Sequence, residues 1–434
     1  MKKNLFSIGI VNLINGIAGI AFIPLAMKSL GAEGYGIYSI FVILTSYIYF
    51  VEMGVAKYFT RLIAQSVEID EQRNNMQSAV GMYIRIALIL LVATPILAVI
   101  VPLYIFPSDS TLFISLIVIL AALDYLLSLP TTIQLTYNIG KENFEQVSKF
   151  NLFSGLSKHL VLIASVVLSN SVLLLIIVVL LRRLFDIIYA KRILVQLPNG
   201  SWKPKYKKGE FKKILSQSLL LSAAQLTQVT ILSLGTFLVN KHFSMKVVGE
   251  YKSVFDLATK VWFFSNSIGM VVFPRFASML KNDDDKVVLK KKIPLYFNIS
   301  WFSYNSLFLG VLLVLPMLPN FLMIQNLELF FLLLLGVCMN AHTNLSYEYL
   351  QADSKLKEVI FSSMFTLVLM VLVFYLLLDK YDVYSIGISW ICSQFINSII
   401  MDFIVLKNIN KSKLLITISI NIIITLGVVL IYGG

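Results

Sequence analysis

Apolar runs of about 20 residues or more, the length that carries a helix across the hydrocarbon core of a bilayer, recur thirteen times along this chain. They fall at 4–29, 35–61, 78–103, 111–138, 149–169, 171–194, 214–240, 248–279, 293–316, 327–350, 357–379, 383–406 and 414–432. The pattern predicts an all-α polytopic membrane protein with 12–13 transmembrane helices. The chain is 58% hydrophobic and 14% charged, more apolar than a soluble domain needs. Its formal net charge of +13 suits nucleic acid in principle, but position decides against that partner. The basic residues gather in alternate short loops, which is how membrane orientation is encoded.

With the N-terminus cytoplasmic, the inside connections hold Arg61 and Arg73, then Lys141 and Lys149, then a dense basic segment from Lys191 to Lys213. Later inside loops hold Lys281, Lys286 and Lys290 to Lys292, then Lys355 and Lys357, then Lys407, Lys411 and Lys413. The opposite loops carry Lys28, Lys241, Lys246 and Lys380. Met1-Lys2-Lys3 looks like the start of a signal peptide. The run behind it is long, carries Asn12 and Asn15, and lacks an A-x-A cleavage pattern, so a retained first helix is expected. Cys338 and Cys392 lie in apolar runs and offer neither a metal spacing nor a loop disulfide.

The two halves echo each other. Gly36-Ile37-Tyr38 opens the second run and Gly249-Glu250-Tyr251 the eighth; Phe59-Thr60-Arg61 and Phe273-Pro274-Arg275 stand near their far ends. Six spans per half bring both halves into the membrane from the same side, so the repeat is parallel, about an axis along the membrane normal. The expected layout is a six-helix bundle over 1–195, a flexible basic cytoplasmic linker over 196–213 and a second six-helix bundle over 214–406. A basic loop and an additional C-terminal helix over 407–434 complete it. In such repeats the binding region lies at the interface of the halves, near mid-membrane.

Charges inside apolar spans mark candidate sites, because each costs about 2.5–3.5 kcal/mol at a helix centre on the insertion scale. The second span carries Glu52, Lys57 and Arg61, with Lys57 and Arg61 on one face beside Gly54. Arg61 also suits a plain anchor at the cytoplasmic end. Lys252, Asp256 and Lys260 repeat at i, i+4 and i+8 in the eighth span, either as a cavity wall or as a self-neutralising triad with Lys252 snorkelling. Asp124 and Lys158 lie mid-span. Arg182, four residues before Asp186, suits an internal ion pair. His342 suits a hydrogen bond at a helix interface. Lysines exceed the carboxylates near them, and buried positive surplus favours an anionic cargo. Glu52, Asp124 and Asp256 are the natural places for a proton or sodium ion to couple transport.

The pattern Pro-Leu-x-x-x-x-Leu-Gly-x-x-x-Tyr-Gly-x-Tyr at Pro24–Tyr38, followed by Gly54 and Arg61, resembles the amino-terminal signature of bacterial polysaccharide flippases. These are the O-antigen and capsule transporters of the multidrug/oligosaccharidyl-lipid/polysaccharide exporter superfamily. The resemblance implies a V-shaped pair of six-helix bundles in the bacterial cytoplasmic membrane, not an enzyme, without a cofactor. It implies alternating-access transfer of undecaprenyl-diphosphate-linked oligosaccharide to the outer leaflet. Membrane lipids, a polysaccharide polymerase and other glycan-assembly proteins are the partners that follow. Under this reading Lys57, Arg61, Lys158, Lys252, Lys260 and Arg275 bind substrate. A multidrug exporter on the same scaffold would favour an acidic cavity, and a glycan polymerase or ligase would need larger outside loops than this chain has.

Overall fold

In a computed structural model of the chain, the described residues are 2–104, 111–205, 210–262, 265, 272, 276, 279–280, 283–314, 326–353 and 355–407. Side chains are described for them except at 2–13, 50–54, 57, 104, 111, 210–222, 225, 283 and 314. The last apolar run, 414–432, lies outside these residues. Among them the fold is wholly helical, in chain order α1 (Lys2–Gln65), α2 (Ile69–Tyr104), α3 (Thr111–Gly140), α4 (Phe144–Leu168), α5 (Val172–Ile193), α6 (Glu210–His242) and α7 (Met245–Ala258). A 3-10 turn (Thr259–Val261) follows, then α8 (Asp283–Val314), α9 (Leu327–Ala352), α10 (Leu356–Tyr381) and α11 (Tyr384–Leu406).

Seven described stretches are long and apolar enough to cross a membrane, and the chain is a multi-pass membrane protein. Helix α1 holds two spans in one element. Gly31, at φ 72° and ψ 175°, breaks it into arms 2–30 and 32–65. That backbone region is essentially open to glycine alone, which is why the Leu-Gly of the amino-terminal signature ends the first span. The eighth run departs from a simple helix. Helix α7 stops at Ala258 and tightens into the 3-10 turn, where the Thr259 hydroxyl donates to the Asp256 carbonyl at 2.9 Å.

The chain divides into two compact units, Met1–Lys252 and Ser253–Gly434. In unit 1, α1 packs on α2, α3, α4, α5 and α6. Val55, Phe59 and Ile63 of its second arm meet Tyr83, Ile86 and Leu90 of α2 and Tyr125 and Tyr137 of α3 in one buried cluster. The connection after α5 is not slack over its described part. Val195 and Asn138 exchange two hydrogen bonds, Gln77 donates to the Gly200 carbonyl at 3.0 Å, and Lys205 donates to Asn74 Oδ1 at 2.8 Å. Of the expected basic linker over 196–213, Gly200 and Lys205 are thus tied to α2, and 206–209 lie outside the described residues.

In unit 2, α11 packs on α9 and α10, and α9 packs on α8 and the 3-10 turn. Helix α10 has the polarity of a lipid-facing helix. It buries Ser362, Ser363 and Thr366 while exposing Phe361, Phe365, Val368, Leu372 and Leu376. Lipid is as apolar as leucine, so no hydrophobic drive pulls these helices together, and small or hydroxylated residues set the close approach. Gly336 of α9 shows how close. A methyl group there would stand 2.2 Å from Cδ1 of Trp390, which is buried on α11. Gly336→Ala should therefore destabilise the detergent-solubilised protein by about 1–3 kcal/mol, the usual cost of overpacking. Thermal unfolding measures it, and a melting temperature equal to wild type would refute the fit.

Candidate functional site

A four-charge cluster lies inside unit 1. Helix α5 supplies Arg182, Arg183 and Asp186, α3 supplies Asp124, α4 supplies Ser154 and the second arm of α1 supplies Tyr49. Arg182 and Asp186, one turn apart, form the expected ion pair at 2.7 Å, and Arg182 also donates to the Ser154 carbonyl at 2.7 Å. Arg183, about 100° further round the helix, keeps a 3.8 Å contact with Asp186 and turns its closer contacts to α3. Its Nε and Nη2 each donate to a different oxygen of Asp124, both at 2.8 Å, a bidentate fork. The Tyr49 hydroxyl donates to Asp124 Oδ2 at 3.3 Å, and the Tyr49 ring lies 5.7 Å under the Arg183 guanidinium.

Two guanidinium groups and two carboxylates sum to zero, which is how a helix bundle tolerates four charges at once. Arg182, Asp186 and Asp124 keep 4%, 3% and 2% of side-chain exposure, whereas Arg183 keeps 23%. The cluster therefore opens at Arg183 alone of the four. It ties α1, α3, α4 and α5 together and presents one partly exposed cation.

Asp124 was nominated from the sequence without a partner. Among the described residues Arg183 and Tyr49 meet it. In sequence, Arg183 stands with Arg182 before Asp186, which points to an ion pair within α5. No spacing rule joins it to a carboxylate 59 residues earlier. The other nominated residues are spread over several elements. Arg61 is exposed near the end of α1, and Lys158 is exposed on α4, one turn from Gly155. Lys252 is buried on α7, Asp256 is half-buried on the same helix, and Lys260 is half-buried on the 3-10 turn. The change of helix type after Ala258 takes Lys260 off the ideal i, i+4, i+8 stripe. Glu52 and Lys57 lie in α1, but their side chains fall outside the described set, and Arg275 falls outside it altogether. Among the described residues, no three or more His, Cys, Asp or Glu side chains converge as a metal site requires.

No curated protein sequence matches the chain significantly. Solved structures do. A multidrug resistance MATE family transporter of the MOP superfamily, captured inward-facing, superposes with a TM-score of 0.67 at 11% identity, over 94% of this chain and 98% of that one. The lipid II flippase MurJ in an inward closed conformation gives 0.68 at 14% identity, over 98% and 97%. A Vibrio cholerae MATE transporter, VcmN, gives 0.58 at 12% identity, over 94% and 96%. At such identities the likeness establishes the fold, a MATE- and MurJ-like arrangement of membrane helices. The family model described as "Polysaccharide biosynthesis protein" matches residues 1–280, well over half of the chain. The amino-terminal signature at Pro24–Tyr38 lies inside that match, and the chain belongs to the polysaccharide biosynthesis protein family.

Proposed function

We propose that the chain is a flippase for undecaprenyl-diphosphate-linked oligosaccharide, carrying it from the cytoplasmic to the outer leaflet of the bacterial cytoplasmic membrane by alternating access. One conjunction supports this reading: a polysaccharide biosynthesis family built on a fold shared with a lipid II flippase. Glycan assembly on a lipid carrier requires its charged headgroup and sugars to cross the hydrocarbon core, and a helix bundle with polar interior surfaces lowers that barrier. The cargo would be anionic, and the nominated cations Lys57, Arg61, Lys158, Lys252, Lys260 and Arg275 are the residues to hold it. Glu52, Asp124 and Asp256 are proposed for coupling to a proton or sodium ion. Transfer requires no bond to be made or broken, so no catalytic group and no cofactor enter. The two halves, 1–195 and 214–406, would act as the moving bodies, and polymerase and glycan-assembly proteins would take up the cargo.

The test is flipping of lipid-linked glycan in reconstituted vesicles. Loss of one charge-assisted phosphate contact costs about 1.5–3 kcal/mol, so Lys57→Ala, Arg61→Ala and Lys260→Ala should each raise the half-saturating lipid concentration at least tenfold. Arg61→Lys should restore part of the loss, because lysine replaces a two-pronged contact with a point charge. Undiminished flipping in all three alanine variants, with folding verified, would defeat the cationic-site mechanism.

A further inference from the structure

We propose that the face shared by α4 and α5 in unit 1 is a docking site for an anionic phospholipid. Arg192 and Lys149 would hold its headgroup, and Phe153 and Phe185 its chains. Rings from both helices gather there around Tyr189. Phe185, one turn back on α5, stacks on the phenol ring at 5.8 Å and 12°. Phe153 of α4 meets it edge-on at 5.1 Å. Phe150 backs the ring at 6.3 Å and is buried, whereas Phe153 and Phe185 keep 49% and 50% of their exposure.

Position along the helices sets the depth. On α4, Lys149, Phe153, Leu160 and Val167 recur at i, i+4, i+11 and i+18, so they share a face, and all four are exposed. On α5, Leu181, Phe185 and Arg192 do the same at i, i+4 and i+11. The contact of Phe153 with Tyr189 brings Lys149 and Arg192 to the same end of the helix pair. Lys149 stands one turn, about 6 Å, beyond Phe153, and Arg192 stands as far beyond exposed Ile188. The headgroup layer is about 5–8 Å thick on each side of the hydrocarbon core. Two cations therefore lie at phosphate depth while the rings lie against the upper acyl chains.

A surface that meets only acyl chains needs nothing more than apolar letters. Here the rings hold one another, and a tyrosine, with an apolar body and a wet hydroxyl, stands at their rim. Charge chooses the lipid. Among the described residues no carboxylate lies within ion-pair range of Lys191 or Arg192 in the last turn of α5. Lys149 pairs with Glu145 at 2.6 Å, but both are well exposed, and such a surface pair is weak enough for a phosphate to displace the carboxylate. Basic residues at the ends of membrane helices attract anionic headgroups, so an anionic phospholipid is favoured over a zwitterionic one of the same chains. None of these residues is among those nominated to bind cargo, and the proposal does not rest on the flippase reading.

An indole placed in the ring cluster supplies the readout. The full chain carrying Phe185→Trp is reconstituted with lipids brominated on their chains, and wild-type emission is subtracted. Brominated phosphatidylglycerol should half-quench the added indole at about one-fifth the mole fraction that brominated phosphatidylcholine needs, the factor for one basic residue at the surface. Adding Arg192→Gln should bring the two curves together, whereas Lys380→Gln, at the end of α10, should leave them apart. Identical curves for the two lipids in Phe185→Trp overturn the proposal, even if the Arg192 variant fails to fold. Absence of quenching by either lipid also overturns it, because another protein surface would then cover the face. So does relief of the quenching by a polyprenyl phosphate at a lower mole fraction than unbrominated phosphatidylglycerol requires, which would give the face to an isoprenoid carrier. The measurement uses no glycan, so its failure and that of the flippase reading are separate results.

Discussion

Asp124→Asn should cost about 3 kcal/mol of stability, the lower end of the range for breaking a buried ion pair. The loss is set by what remains: Arg183, 23% exposed, would keep its charge beside a neutral amide, with the longer 3.8 Å contact to Asp186 still in place. Arg183→Gln should cost a similar amount by stranding Asp124, which has 2% exposure. The double variant should be more stable than the sum of the two losses allows, by about 1–3 kcal/mol, because removing both charges strands neither. Unfolding of the detergent-solubilised protein gives all four corners of this cycle. Additive losses would mean that the bidentate contact carries no energy. The same variants bear on the coupling role proposed for Asp124. If it is an ion site, Asp124→Asn also shifts the proton or sodium dependence of flipping; if it only neutralises Arg183, that dependence is unchanged in the molecules that remain folded.

The second large effect is expected at Gly249. A methyl group there would sit 1.6 Å from the Ala32 carbonyl oxygen, a backbone atom that cannot swing aside. At Gly36 the added carbon would meet the Met245 carbonyl at 2.9 Å and the Gly249 nitrogen at 3.1 Å. The start of α7 therefore crosses the second arm of α1, backbone against backbone, where each helix has a glycine. Gly249→Ala should separate the two segments and lower stability by about 3 kcal/mol, the upper end of the usual overpacking range. Gly36→Ala should cost less, about 1–2 kcal/mol. Melting temperatures provide the comparison, and an equal or inverted order would contradict the crossing.

These two glycines also show what a sequence gives away and what it withholds. Gly36 and Gly249 were noticed as echoes opening corresponding runs, since identity at matched intervals is a one-dimensional signal. Their mutual contact is three-dimensional, and no interval implies it. The spans themselves were legible for the first reason: run length is read directly, and every described helix falls on an expected run. The Arg182–Asp186 pair was legible because four residues is one helical turn. Arg183–Asp124 was not, because tertiary packing chooses that partner. His342 was placed at a helix interface from its isolation in an apolar run, yet its link to Asp402, 60 residues on, appears only in the fold. The change of helix type after Ala258 escaped for a different reason, since hydropathy is blind to whether a turn holds three residues or four.

The outward face of α10 has a consequence for how such a chain can drift. Acyl chains do not distinguish phenylalanine from valine or leucine, so Phe361, Val368 and Leu376 are interchangeable with any side chain of like polarity. Their inward counterparts, Ser362, Ser363 and Thr366, are held to a volume. Substitutions can therefore accumulate over most of the lipid-exposed surface without moving a helix axis, while the narrow seams between helices accept almost none. A superposition at 14% identity that still covers 98% of the chain is the expected outcome of that asymmetry. Across such a fold, identity should fall fastest at the lipid-facing letters and slowest at the small residues of the seams.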